Sequence, residues 1–246
     1  MKVNFIICGT QKGGTSALDI YLRGHPEICM ANKKEVHFFD NEDAFRTGTS
    51  NYAAYHAFFH PEPQHKIIGE ATPIYMYWSD APKRIWHYNP HMKLVVLLRN
   101  PVDRAYSHWN MERQRNADTA SFWDAIQNEE ERCREALPYQ HRVYSYTGRG
   151  LYLEQLRRLW AFFPRKQVLV LKNDELRQKP NETLRRVFEF LGVKLLPLMN
   201  PVNIESFPYA SSMGKKERDY LRFVFEYEIK ALERVLEWDC SDWLSE

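Results

Sequence analysis

Four short apolar runs alternate along the chain with longer stretches in which apolar residues recur every three or four positions. Val3–Cys8 (VNFIIC) is apolar and β-branched, and the glycines that follow stop it, so it reads as a buried strand. From Thr15 the period becomes helical, with Ala17, Leu18, Tyr21 and Leu22 on one face, until Gly24 and Pro26 end it. Lys66–Gly69 (KIIG), Lys93–Leu98 (KLVVLL) and Gln167–Leu171 (QVLVL) predict three more strands, and Pro101 opens a helix directly after the clearest of them. Helices are also expected at Phe122–Ala136, Gly150–Phe163, Asn181–Leu191 and Lys215–Leu236, with the aromatic stripe Phe223, Phe225 and Tyr227 of the last read as core packing. Leu137–Arg149 keeps no period and reads as a loop.

Strands alternating with helices predict an α/β fold, a three-layer sandwich around a central, mainly parallel sheet. Ligands of such folds sit at the carboxyl ends of the strands. No linker-like composition divides the 246 residues, so a single domain, 1–246, is expected. Lys and Arg total 34 against 32 Asp and Glu, a formal charge of +2, which excludes a nucleic-acid polymer as partner by bulk electrostatics. Four scattered cysteines form no CxxC pair, and no run approaches the ~18–20 apolar residues of a membrane span. The expectation is a cytoplasmic protein without a membrane anchor. Its oligomeric state is not legible.

Chemistry concentrates in three segments. Gly9-Thr10-Gln11-Lys12-Gly13-Gly14-Thr15-Ser16 joins the first strand to the first helix, with Gly9 and Gly14 separated by four residues as in a phosphate-binding loop. Glycines let an anion approach the backbone, and the helix start offers free N–H groups. Thr15 stands where a nucleoside-triphosphatase carries Lys, and Lys12 is the only cation of the loop. The alternative is an ordinary strand–helix turn. The second segment, Arg99 to Ser107, follows the third strand: Arg99 and Ser107 could hold a second phosphate, or Arg99 could pair with Asp103 at the helix start. In the third, Lys33-Lys34-Glu35-Val36-His37-Phe38-Phe39-Asp40, extended backbone would put Glu35 and His37 on one side, suited to general base work. The alternative there is a surface strand with a satisfied histidine.

Together, in this order, the three segments resemble the sulfotransferases that use 3′-phosphoadenosine 5′-phosphosulfate (PAPS), in particular the heparan sulfate sulfotransferase type and its soluble bacterial relatives. The resemblance implies a P-loop, nucleotide-kinase-like fold and an enzyme that moves the sulfuryl group of PAPS to a hydroxyl or amine of a small-molecule or carrier-bound acceptor, leaving PAP. It gives Lys12, Gly13, Gly14, Thr15 and Ser16 to the 5′-phosphosulfate, with Lys12 on the bridging oxygen. Arg99 and Ser107 would hold the 3′-phosphate. Glu35 would take the acceptor proton, with His37 beside it and Asp40 in support, and no metal is required. Tyr209–Lys216 would close over the adenosine, and Asn41–Pro63 and Leu137–Arg149 are candidate walls of the acceptor pocket. Ala71 replaces a lysine of the Golgi members, and their amino-terminal anchor and cysteine pair are missing, which with the near-neutral charge weighs against a heparan-like polymer as acceptor. The alternative is a nucleotide or small-molecule kinase using the same loop with ATP and Mg²⁺; a non-catalytic nucleotide-binding module would leave Glu35 and His37 structural.

Overall fold

The computed structural model describes residues 2–46, 50–197, 208–209 and 211–245. Two compact units emerge, one of Met1–Leu98 and Arg158–Ile204, the other of Arg99–Arg157 and Glu205–Glu246. The first holds the sheet: β1 (Phe5–Gly9), β2 (Ile28–Met30), β3 (Ile67–Ala71), β4 (Lys93–Leu98) and β5 (Val168–Lys172). Their order is β2-β3-β1-β4-β5, and every pair is parallel. β1 sits at the centre because both its faces are apolar. Phe5 and Ile7, with Val95 and Leu97 of β4, pack against Leu18, Tyr21 and Leu22 of helix Thr15–Arg23 and Leu184, Val187 and Phe188 of helix Pro180–Leu191. Ile6, Cys8, Leu94 and Val96 of the opposite face are equally buried. Such continuous apolar strands are the mark of a parallel sheet covered on both sides.

The connection after β1 runs toward β2 and the one after β4 toward β5, so the topology switches between these neighbouring strands, where open α/β sheets open a crevice at their carboxyl ends. β2 has no counterpart in the sequence reading. Three residues are too few for a period, and its pairing with Ile67–Gly69 of β3 is what makes it a strand.

In the second unit, helix Pro101–Gln114 starts at Asn100, whose side chain accepts from the Val102 N–H at 3.0 Å. Helix Lys215–Leu236 buries Leu221, Phe225, Ile229 and Leu232. Phe223 and Tyr227 are 80% and 81% exposed, so the expected aromatic core stripe reduces to Phe225. Positions two apart on a helix point some 200° apart, and the three rings cannot share one buried face. The expected helix Phe122–Ala136 is broken into Phe122–Gln127, Glu129–Cys133 and a 3-10 turn at Arg134–Ala136. The buried Glu129 opens the second piece, and its carboxylate accepts from the Thr147 and Gly148 N–H groups at 2.6 and 2.7 Å. Among the described residues no helix is long and apolar enough to cross a membrane.

Candidate active site

The loop Gly9–Ser16 leaves the carboxyl end of β1 and folds onto the backbone of β4. Thr10 N–H donates to the Leu97 carbonyl at 3.0 Å, and Gly13 N–H closes back on Thr10 at 2.9 Å. A Cβ on Gly13 would lie 2.4 Å from the Leu97 oxygen; Gly14 has φ +95° and a Cβ there would lie 2.1 Å from Asn173 Nδ2. Both glycines are therefore demanded by close approach. Lys12, with no such excuse, is also left-handed (φ 65°), a conformation costing a side-chain-bearing residue about 1–2 kcal/mol. The N–H groups of Gly14, Thr15 and Ser16 find no acceptor among the described residues. Three free donors at the start of a helix, over backbone cleared of Cβ atoms, fit a phosphate or sulfate group.

The segment Glu35–Asp40 lies at the carboxyl end of β3, the strand next to β1: Glu35 N–H donates to Ala71, which pairs in register with Ile7. The segment is not the extended strand expected from its alternation. Glu35 and His37 are both left-handed, at φ 57° and 56°. Their backbone is held by donors to β3 and to side chains: Val36 N–H to Thr72 Oγ1 at 3.0 Å and Phe38 N–H to the Tyr75 hydroxyl at 2.9 Å. The side preference is as expected, with Val36 and Phe38 buried and Glu35 and His37 together. His37 Nε2 lies 3.3 Å from Glu35 Oε2, and Nδ1 lies 2.9 Å from Asp40 Oδ2. Lys34 Nζ reaches the other Glu35 oxygen at 3.1 Å.

This geometry decides the charges. Burial works to raise the Glu35 carboxyl, but the hydrogen bond from His37 and the neighbouring Lys34 ammonium outweigh it and bring it down to about 2. Hydrogen bonds to Asp40 and then Glu35 outweigh burial at His37 and lift its imidazole to about 9. At neutral pH the cluster is an imidazolium between two carboxylates, and His37 has no nitrogen free to accept a proton. The cluster's stability contribution follows from these shifts. The Glu35 part is present above about 4.5 and lost as pH falls through about 2. The His37 part is complete below about 6.5 and lost as pH rises through about 9. With the His37 and Glu35 side chains 40% and 35% exposed, solvent screening reduces it to about 1 kcal/mol, or roughly 2–4 °C. Wild type is expected to lose that margin over His37→Asn between about pH 6.5 and 9; thermal melts at three pH values check it, and parallel curves would refute the assigned charge.

The other residues expected to bind belong to the second unit. Arg99, the residue after β4, is half-buried, and its side chain makes no ion pair or hydrogen bond among the described residues. The expected alternative partner, Asp103, instead lies 3.4 Å from Arg218. Ser107 is buried on helix Pro101–Gln114, with no hydrogen bond from its hydroxyl among the described residues. Of Tyr209–Lys216, residue 210 lies outside the described residues; Tyr209 stacks on Tyr106 at 5.4 Å and 5°. In Leu137–Arg149 the His141 and Tyr144 rings stack on each other at 4.2 Å and the Tyr146 hydroxyl donates to Asp118 at 2.6 Å, so three of its rings are spent on internal packing. Phe45, Tyr52, Tyr55 and Phe59 of the Asn41–Pro63 region join an aromatic cluster with Phe38 and Phe39; residues 47–49 lie outside the described residues. Asn173, which backs the loop at Gly14, and Lys34 carried no legible signal in the sequence.

The family model for the sulfotransferase domain matches residues 2–207. Heparan sulfate glucosamine 3-O-sulfotransferase 3A1 of Mus musculus is 33% identical over 196 residues, 77% of this chain and 45% of that protein. The chain spans about half the length of the curated relatives it matches. Among solved structures, the crystal structure of a sulfotransferase from Alicyclobacillus acidocaldarius superposes with a TM-score of 0.86 at 30% identity, covering 100% of both chains. Mouse sulfotransferase SULT7A1 complexed with PAP has a TM-score of 0.51 at 13% identity, covering 80% of this chain and 60% of that one, a likeness of fold alone. A parallel sheet with its glycine loop at β1, matched by a family model over most of its length, makes this chain a member of the sulfotransferase family.

Proposed function

We propose that the protein is a PAPS-dependent sulfotransferase acting in the cytoplasm on a hydroxyl or amine of a small-molecule or carrier-bound acceptor. The observation that carries the reading is the Glu35–His37–Asp40 cluster, an ionised carboxylate held by an imidazolium at the carboxyl edge of the sheet. Family membership and the fit of the loop to an anion support it, as does the PAP bound by a fold relative. Cys8, Cys29, Cys133 and Cys240 are not joined in disulfides, as suits a reducing compartment. PAPS supplies a sulfuryl group already bonded to a phosphate leaving group.

The acceptor oxygen or nitrogen bonds to sulfur while the bond from sulfur to the bridging oxygen breaks. Glu35 takes the acceptor proton, since His37 is already protonated. His37 and Asp40 hold Glu35 in place. Lys12 and the N–H groups of Gly14, Thr15 and Ser16, with Gly13 allowing the approach, stabilise charge on the departing phosphate. Arg99 and Ser107, whose side chains make no hydrogen bond among the described residues, take the 3′-phosphate that distinguishes PAP from ADP. Thr15, in the position of the lysine of nucleoside-triphosphatases, counts against the kinase reading.

Thermal shift with PAP and with ADP–Mg²⁺, followed by mass spectrometry of an acceptor panel incubated with PAPS, tests the proposal. Stabilisation by PAP and an added sulfate mass are expected. Stabilisation by ADP–Mg²⁺ alone would point to a kinase, and PAP binding without any sulfated product to a binding module.

A further inference from the structure

Glu70, near the end of β3, is completely buried, and no cation hydrogen-bonds or ion-pairs with it among the described residues. A carboxylate taken out of water without a counter-charge costs several kcal/mol, and burial pushes this one up to about 7 even though three hydroxyls donate to it. Core packing alone would be served better by an apolar residue or a glutamine. The hydroxyls suggest why a carboxylate is there. Tyr55 and Tyr75 donate to Oε1 at 2.9 and 3.1 Å, and Thr72 donates to Oε2 at 2.5 Å.

Two of the three are relays. Thr72 Oγ1 also accepts the Val36 N–H at 3.0 Å, and the Tyr75 oxygen accepts the N–H groups of Phe38 at 2.9 Å and Phe39 at 3.4 Å. A hydroxyl has one proton and two lone pairs, and a backbone N–H can only donate. Each relay must therefore pass its single proton away from the backbone, to a group that accepts at both oxygens. A carboxylate does so in its ionised form, which Glu70 takes as pH rises through about 7. A glutamine accepts at one oxygen and turns an NH₂ toward the other relay, leaving a hydroxyl proton or an N–H without a place. Val36 and Phe38 follow directly on Glu35 and His37, the two left-handed residues of the segment. The relays thus pin the backbone where it is most strained, at about 1–2 kcal/mol for each left-handed residue.

We propose that Glu70 is a positioning residue for the sulfuryl-transfer reaction, holding Glu35 and His37 in register from beneath through Thr72 and Tyr75. This rests on the assignment of Glu35 as the base. Tyr55, Tyr75 and the Asp40 carboxylate are the ionisable groups that bear most directly on Glu70, with Cys8 and Tyr88 further out. The network acts on geometry. Its loss loosens the contacts of His37 with Glu35 and Asp40 while leaving the glycine loop unchanged.

The test compares Glu70→Gln, Thr72→Val, Thr72→Ser and Tyr75→Phe. For each, the His37 imidazole is titrated by NMR in ¹⁵N-histidine-labelled protein, with His37→Asn identifying the signal. PAP affinity and turnover with PAPS are measured on the same samples. Glu70→Gln and Thr72→Val are expected to lower the His37 midpoint by about one pH unit and kcat about tenfold or more, with PAP affinity within about twofold. Thr72→Ser, which keeps the relay, restores both. A wild-type His37 titration in folded Glu70→Gln and Thr72→Val overturns the proposal. Should Glu70→Gln not fold, Thr72→Val against Thr72→Ser, with Tyr75→Phe, decides it alone. A shifted His37 midpoint with unchanged kcat upholds the anchoring and overturns Glu35 as base, so the two assignments fail separately.

Discussion

Glu35→Gln is expected to lower kcat for sulfate transfer by about 10²–10⁴, the usual range for loss of a positioned base, with PAP affinity within about twofold of wild type. The substitution is close to isosteric, and the side chain is partly exposed, so folding is not at stake. What changes is the capacity to accept a proton. The amide has none to offer, and His37 stays tied at Nδ1 to the Asp40 carboxylate, the larger of the two causes that raise its imidazole. Single-turnover assays with saturating PAPS separate this effect from binding. Wild-type turnover in Glu35→Gln would remove Glu35 as base; a rate that then rose with pH through the His37 midpoint of the variant, lower than in wild type because the Glu35 carboxylate is gone, would place the role on His37.

Lys12→Ala is expected to cost about 10²–10³ in kcat, as removal of one donor to a developing oxyanion does, and to weaken PAP binding by roughly 10–100-fold, the loss of one charge-assisted hydrogen bond. The left-handed backbone at Lys12 gives the experiment a second arm. Lys12→Gly relieves the strain and is expected to melt no lower than wild type while losing transfer in the same way. A residue retained for stability would show the reverse, with the glycine variant active. Isothermal titration with PAP, thermal melts and turnover on the two variants read all three quantities. Unchanged turnover in both would leave charge stabilisation on the departing oxygen to the N–H groups of Gly14, Thr15 and Ser16.

Legibility in the sequence followed the range of the interactions concerned. Lys93–Leu98 and Lys215–Leu236 have the expected bounds, because the five continuous apolar residues Leu94–Leu98 and a 22-residue helix carry their own signals. β2 was invisible, since its three residues owe their conformation to β3. Phe223 and Tyr227 face solvent, because the helical period turns them away from the buried Phe225. The Glu35–His37 pairing was anticipated on the right side with the wrong backbone. Alternation is produced by an extended strand and equally by left-handed residues interleaved with buried ones, and only the acceptors at Ala71, Thr72 and Tyr75 distinguish the two.

The amino-acid order by itself determined the α/β succession, the glycine loop at the end of the first strand and the segment that bears the carboxylates and the imidazole. These depend on period, turn residues and spacing, which neighbours along the chain set. The tertiary structure decided the all-parallel sheet with β1 at its centre, the N–H groups of Gly14, Thr15 and Ser16 that find no acceptor among the described residues, and the charges. It holds Glu35 ionised and His37 protonated, and it ties Glu70, through Thr72 and Tyr75, to backbone more than thirty residues earlier. Protonation and strain answer to burial and to partners brought together by the fold, and no local pattern of residues encodes either.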